Sequence, residues 1–147
     1  MKLWMIGKLW SVTAALFLLM QPGLFGEERS TAFHGLWLAK DKDTVYDVAP
    51  CPDGLCGRVV GVKPHIDKNG KPDSTCGVQV LTLTKWEAEK QWWEGKVLDP
   101  KSKKQYPVTL ELSKAGTPLM KVTWGLISFP DPWSRFSGTP SAQCEIR

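Results

Sequence analysis

The stretch Cys51-Pro52-Asp53-Gly54-Leu55-Cys56-Gly57-Arg58 decides the fold that we predict for this chain of 147 residues. Two cysteines five positions apart flank a Pro-Asp-Gly turn, and an apolar strand pattern follows at once. In an exported protein this arrangement is typical of a small hairpin corner closed by a disulfide.

The N-terminus has the layout of a secretory signal peptide. Lys2 and Lys8 give a positive start, and Leu9 to Met20 is mostly apolar but shorter than the roughly 20 residues that span a bilayer. A Gln-Pro-Gly break follows, and Gly26 offers a small residue at the cleavage point. We therefore predict a cleaved signal peptide over residues 1–26, a periplasmic or secreted protein, and no transmembrane segment after cleavage. A retained N-terminal anchor is the alternative.

All four cysteines lie beyond the predicted signal peptide, and an even number in an exported protein predicts two disulfides. Three pairings are possible. We favour Cys51–Cys56, which brackets a turn, together with Cys76–Cys144, which would tie the C-terminal tail to the domain. Zinc is a weak alternative, because the spacing is not Cys-x-x-Cys and the two histidines do not form a ligand pair. We expect no metal and no other cofactor.

The charge of the chain argues against one class of partner. The formal net charge is +4, of which the predicted signal peptide carries two lysines. The remaining surplus is small and scattered, so we expect no nucleic-acid partner.

Beyond residue 26 the apolar residues alternate with period two, which predicts strands. Turn signals recur about every ten residues and predict an all-β sandwich or barrel. We favour a small antiparallel up-and-down barrel of about eight strands over residues 27–136, followed by an irregular tail over 137–147. The predicted strands cover 33–38, 44–49, 55–63, 77–83, 92–98, 106–112, 119–126 and 133–135. The segment 84–93 also contains helix formers, and we favour an extended hairpin arm there.

Five motifs in order resemble a family of small exported bacterial domains that is labelled a domain of unknown function. The resemblance covers about residues 33 to 135. The matching residues are Gly35-Leu36-Trp37, Ala49-Pro50-Cys51 with Leu55-Cys56-Gly57-Arg58-Val59, Asp67-Lys68-Asn69, Trp92 to Pro100 with Lys104-Gln105-Tyr106, and Trp133-Ser134-Arg135. The chain departs from the pattern at Glu94 and Lys103, where glycines are usual.

The Gly-x-Trp start and Trp-x-Arg finish are also similar to those of lipocalin-like barrels. This resemblance implies that an early Trp plugs the closed end of the barrel and that a late Arg lies across it. The barrel closure would then involve Gly35, Trp37, Trp133 and Arg135. A guanidinium over an indole face contributes about 0.5–2 kcal/mol.

Three polar residues are candidates for ligand binding. Arg58 suits a carboxylate or phosphate, because its guanidinium donates in a planar fork. The alternative is a structural pair with Asp47 across the hairpin. Asp67 and Asn69 would bind a ligand or ion from the loop after the third strand, or would stabilise that loop by Asx-type hydrogen bonds.

The remaining candidates are Trp93, Asp99 and Tyr106. Trp92 and Trp93 are adjacent and must face opposite sides of a strand, so one of them points outward as a contact residue. Asp99 and Tyr106 would supply polar groups to a pocket, although Asp99 before Pro100 is also typical of a turn.

The sequence contains no recognisable catalytic constellation, and we expect a protein that is not an enzyme. A barrel of eight strands is either filled by side chains or holds one small ligand. Our first hypothesis is therefore a module that binds a small apolar ligand or an envelope component. The alternative is a structural or interaction protein with a filled barrel that contacts protein or glycan through exposed tryptophan.

Overall fold

The computed structural model describes residues 31–72 and 75–146, so the predicted signal peptide lies outside the described residues. Within these described residues, nine antiparallel strands form one sheet. They are β1 Gly35–Leu38, β2 Thr44–Cys51, β3 Gly54–Val62, β4 Gln79–Glu87, β5 Trp92–Leu98, β6 Gln105–Leu112, β7 Pro118–Trp124, β8 Ile127–Pro132 and β9 Ser134–Arg135. In the described part of the chain no helix is long and apolar enough to cross a membrane.

The sheet closes almost completely into a barrel. Its strand order is β8-β7-β6-β5-β4-β3-β2-β1-β9, so the last segment of the chain meets both edges of the sheet. β8 pairs with β7, and two residues later β9 pairs with β1. The predicted all-β antiparallel barrel is confirmed, and 84–93 forms an extended hairpin arm rather than a helix.

The predicted count of eight strands omitted β8. This strand contains Pro130 and Pro132, which have no N–H to donate, and most of its side chains are exposed. β8 therefore lacks two backbone donors and also lacks the buried alternation by which strands are recognised in a sequence.

Because neighbouring strands run antiparallel, successive turns lie at alternate ends of the barrel. One end carries the loops 39–43, 63–78, 99–104 and 125–126, and we call it the lysine-rich end. The other end carries the turns 52–53, 88–91 and 113–117, and we call it the closed end.

Apolar side chains fill the barrel interior. The main cluster of buried residues comprises Phe33, Trp37, Val48, Leu55, Leu81, Leu83, Val108, Leu110, Met120 and Trp133. A second cluster of Val59, Val62 and Val80 lies nearer the lysine-rich end. Side chains therefore occupy the space that would hold a ligand in an open barrel.

Both favoured disulfides are present. The Cα atoms of Cys51 and Cys56 are 5.8 Å apart across the β2–β3 hairpin. Cys76 and Cys144 are joined with a Cα separation of 6.1 Å, and Val62 exchanges backbone hydrogen bonds with the tail beside Cys144. The tail is therefore fixed against β3, and all four cysteines are engaged in disulfides.

Candidate functional site

Aromatic side chains pack together around Trp37 and Phe33 at the closed end of the barrel. Trp37 is only 1% exposed, and its indole N–H donates to the carbonyl oxygen of Phe33 at 2.7 Å. The guanidinium carbon of Arg135 lies 3.9 Å from the centre of the Trp37 ring. Phe33 packs edge-on against Trp86 at 6.3 Å, which extends this packing across the barrel.

Gly35 makes room for this contact. Its φ is +122°, a conformation that side-chain-bearing residues rarely adopt, and a Cβ at this position would lie 2.5 Å from the Nη1 atom of Arg135. The same Arg135 nitrogen donates to the carbonyl oxygen of His34 at 3.3 Å. The glycine of the Gly-x-Trp motif is therefore required for the position of the arginine.

Trp133 belongs to the same buried cluster as Trp37 and Phe33. It is 3% exposed, its ring stacks on Tyr46 at 4.9 Å, and its indole N–H donates to Asp131 at 2.9 Å. Burial raises the pKa of Tyr46 above its ordinary value, and the negative charges of Asp131 and Asp41 add to the effect. Tyr46 thus packs against both buried clusters and against the ring of Trp133.

A depression of about 300 Å³ opens to solvent above Tyr46. Its apolar lining comes from Val59, Val80 and Val97, and Asp99 lies at its rim. This depression is the part of the barrel that a small ligand would enter, and the half-buried Tyr46 lies in its wall.

The structure shows Asp67 and Asn69 in an Asx-stabilised loop. The Oδ1 atom of Asp67 accepts the backbone N–H groups of Asn69 at 2.8 Å and Lys71 at 2.9 Å. These bonds, that of Lys71 first, hold the pKa of Asp67 below its usual range. The loop flanks a groove of about 430 Å³ whose other wall includes Lys101 and Lys103.

Asp99 organises the β5–β6 turn. Its carboxylate accepts the hydroxyl of Ser102 at 2.6 Å and the backbone N–H of Lys101 at 2.9 Å. Both bonds lower the pKa of Asp99, the one from Ser102 most. Tyr106 is half-buried on β6 opposite Val97, beside this turn.

Arg58 and Trp93 lie elsewhere. Arg58 is opposite Asp47 in the β2–β3 pairing, but its Nη1 donates to the carbonyl oxygen of Gly77 at 2.5 Å. Trp93 packs inward against Trp86, with ring centres 5.6 Å apart, and its buried indole N–H has no hydrogen-bond partner among the described residues. The outward member of the tryptophan pair is Trp92. The six candidate ligand residues therefore do not form one site.

Among the described residues, the β7–β8 hairpin carries four of the five large apolar side chains exposed at the lysine-rich end, and the fifth is Ile66 in loop 63–78. Trp124 is 69% exposed, Leu126 is fully exposed at the apex, Ile127 is 60% exposed and Phe129 is 50% exposed. Contiguous exposed apolar surface of this kind marks contact sites in soluble proteins. This hairpin is the strongest candidate functional surface of the described chain.

The strand pairing gives the hairpin two different faces. Trp124 is opposite Ile127 and Val122 is opposite Phe129, so these four side chains share one face. Thr123 and Ser128 are opposite each other on the other face, where their hydroxyl groups are 3.1 Å apart. The apolar face is the side that holds the buried Met120, so it continues the core surface beyond the rim of the barrel.

Sequence reasoning missed this surface as a whole. The missing information was the strand β8, which brings Ile127 and Phe129 beside β7. Alternation of Ile127 and Phe129 was the available signal, and the prolines that follow them obscured it.

Comparison with known proteins gives one match. The family described as "Uncharacterized protein conserved in bacteria (DUF2147)" matches residues 35–133. No curated protein and no solved structure matches the chain significantly. The matched range runs from the Gly-x-Trp motif to Trp133 and includes nearly all of the barrel. The chain therefore belongs to this bacterial family of uncharacterized proteins.

Proposed function

We propose that this protein is an exported, non-catalytic binding protein that attaches to a component of the cell envelope through the apolar face of its β7–β8 hairpin. One observation carries the proposal. The hairpin exposes Trp124, Leu126 and Ile127 at one end of a barrel whose interior is filled. Exposed apolar surface next to a filled core supports binding at the surface of the protein.

Export is supported by the two disulfides, which persist in oxidising compartments such as the periplasm. The absence of a role in catalysis is supported by the placement of the titratable groups. His34 precedes β1 at the closed end, whereas His65 lies in the loop 63–78 at the other end. Asp67 and Asp99 direct their carboxylates into their own turns.

The experiment is sedimentation of the exported protein with an envelope fraction that contains lipid, protein and glycan. Leu126→Ser is the test variant. Leu112→Ser is the matched control, because Leu112 is also exposed, at 39%, but lies next to the turn 113–117 of the closed end. We expect the wild type and Leu112→Ser to sediment with the envelope and Leu126→Ser to remain in solution. Equal sedimentation of all three proteins contradicts the proposal.

The second candidate is a small apolar ligand in the depression above Tyr46. The valine lining and the volume of about 300 Å³ favour it, because small-molecule sites begin at about this size. Native mass spectrometry of protein purified from its own envelope tests it. A co-purified molecule that is lost in Val80→Arg supports this candidate, and bare protein in the wild type argues against it.

A further inference from the structure

We propose that the envelope component is an anionic lipid bilayer, into whose headgroup region the tip of the β7–β8 hairpin inserts. This inference rests on the proposed function, since it names the partner of the same surface. It is carried by two independent features of the lysine-rich end: the chemistry of the hairpin and the distribution of charge around it.

The hairpin has the composition of an interfacial segment. Leu126 is at the apex, and Trp124 and Ile127 stand opposite each other one step below it. Leucine favours the acyl region, whereas an indole is amphipathic and favours the headgroup level. The hydroxyl-bearing face of Thr123 and Ser128 would remain on the polar side.

The loops around the hairpin supply the matching charge. Loop 39–43 contains two lysines and two aspartates. Loop 63–78 contains three lysines and two aspartates, and loop 99–104 contains three lysines and one aspartate. The turns of the closed end contain two lysines and two acidic residues, which balance. A surplus of lysines at one end only is complementary to a negatively charged plane.

Three aspartates among the described residues of these loops are engaged locally. Asp43 pairs with Lys63 at 3.4 Å, and Asp67 and Asp99 accept hydrogen bonds from their own loops. The carboxylate of Asp99 is bonded to a hydroxyl and a backbone N–H rather than to a lysine ammonium group. The three lysines of the β5–β6 turn are thus the charges that we expect to meet the phosphates.

A lipid surface fits this combination better than a protein partner. The charge comes from three separate loops at the same end as the apolar apex, and a planar array of headgroups contacts all of them without a complementary shape. A protein would need an apolar groove for the hairpin and acidic groups at each loop.

The test is flotation of the exported protein with vesicles of phosphatidylcholine alone and of an equimolar mixture with phosphatidylglycerol. Intact mass first establishes whether the apolar N-terminal segment is still attached, because that segment would bind lipid by itself. We expect binding to the mixed vesicles only, and weaker binding as salt rises. Leu126→Ser should weaken binding about tenfold or more, since it removes the side chain that is buried on insertion.

Charge reversal gives the second arm. The double variant Lys101→Glu with Lys104→Glu should bind the mixed vesicles about tenfold or more weakly than the wild type at low salt. The matched control is Lys90→Glu with Lys114→Glu, which makes the same change at the closed end and should bind normally. Circular dichroism spectra that match those of the wild type show that each variant is folded.

The depth of insertion can be measured separately from the strength of binding. Phospholipid brominated on its acyl chain should quench tryptophan fluorescence in the wild type. Trp124→Phe keeps an apolar ring and should still bind, but the quenching should disappear.

Each other outcome overturns the inference. Suppose that neither the wild type nor Leu126→Ser binds the mixed vesicles, but that Leu126→Ser still fails to sediment with the envelope fraction. The proposed function then stands, and its partner is not lipid. If Leu126→Ser has no effect in either experiment, both proposals fail. If the wild type is a dimer that Leu126→Ser converts to a monomer, the hairpin joins two copies of the chain instead.

Discussion

The guanidinium of Arg135 lies over the indole of Trp37 at 3.9 Å, and the same two residues are opposite each other where β9 pairs with β1. The backbone and the side chains therefore join β1 to β9 at one place. Gly35 permits the arrangement, because any side chain there would overlap with the guanidinium. This contact thus brings Gly35 and Trp37, near the start of the barrel, together with Arg135, which lies 100 positions after Gly35 in the chain.

Trp37→Ala should lower the free energy of unfolding by about 3–5 kcal/mol, as for other buried large side chains. Arg135→Ala should cost about 0.5–2 kcal/mol, because it removes the cation–π contact but leaves the indole in place. Urea denaturation monitored by circular dichroism measures both. Leu126→Ser is the control and should change stability by less than about 0.5 kcal/mol, since Leu126 is fully exposed. A loss near zero for Trp37→Ala would contradict the role of this contact in closure.

Removal of the Cys76–Cys144 disulfide by paired serine substitutions should destabilise the protein more than removal of Cys51–Cys56. The first closes a loop of 68 residues and the second a loop of 5, so the loop-entropy estimates are about 4 and about 2 kcal/mol. Thermal unfolding of the two double variants measures the order. The opposite order, or a melting temperature that a reductant does not change in the wild type, would contradict this account.

The barrel was predictable because its strands alternate buried and exposed side chains. In β6 the alternation of Val108 and Leu110 with exposed or half-buried neighbours gives a clear period of two. β8 has no such period, since none of its residues reaches the core. Its place in the sheet is determined by pairing with β7, which is a tertiary property.

The candidate surface was less predictable for a related reason. Trp124 is recognisable as an aromatic residue near a turn, but its exposure depends on where β7 ends relative to the rest of the barrel. Phe129 lies on the core-facing side of its strand and is still 50% exposed. Alternation along the strand alone would predict that such a side chain is buried in the barrel. Its exposure follows from the strand register and from the incomplete edge of the barrel.

Glu94 and Lys103, two positions where the resemblance leads us to expect glycine, differ in backbone conformation. Glu94 replaces a glycine without difficulty, and its side chain accepts the indole N–H of Trp92 at 3.0 Å. The next residue, Gly95, cannot be replaced by a residue with a side chain, because a Cβ there would lie 2.0 Å from the carbonyl oxygen of Thr82. Lys103 has φ of +60°, a conformation that glycine adopts readily and lysine does not.

Lys103→Gly should therefore stabilise the protein by about 0.5–1 kcal/mol. Relief of a left-handed conformation gains about 1–2 kcal/mol, and the greater freedom of glycine in the unfolded chain offsets part of the gain. Urea denaturation measures the difference. Lys101→Gly is the control in the same turn, since Lys101 does not have a positive φ, and it should lose about 0.4–1 kcal/mol. Equal effects of the two substitutions would show that backbone strain at Lys103 is not relieved.

The β5–β6 turn should weaken as the pH falls. The pKa of Asp99 is below its ordinary value of 3.8, because the Ser102 hydroxyl, and then the Lys101 N–H, donate to the carboxylate. A carboxyl group whose pKa is lowered by folding stabilises the folded state above the unfolded pKa, and this contribution is lost as the pH falls through the lower, folded pKa. In a pH titration by nuclear magnetic resonance, the amide of Lys101 should therefore shift with a midpoint below 3.8. Ser102→Ala should move the midpoint upwards, and Asp99→Asn should abolish the transition. A wild-type midpoint at or above the ordinary value would mean that the carboxylate does not hold this turn.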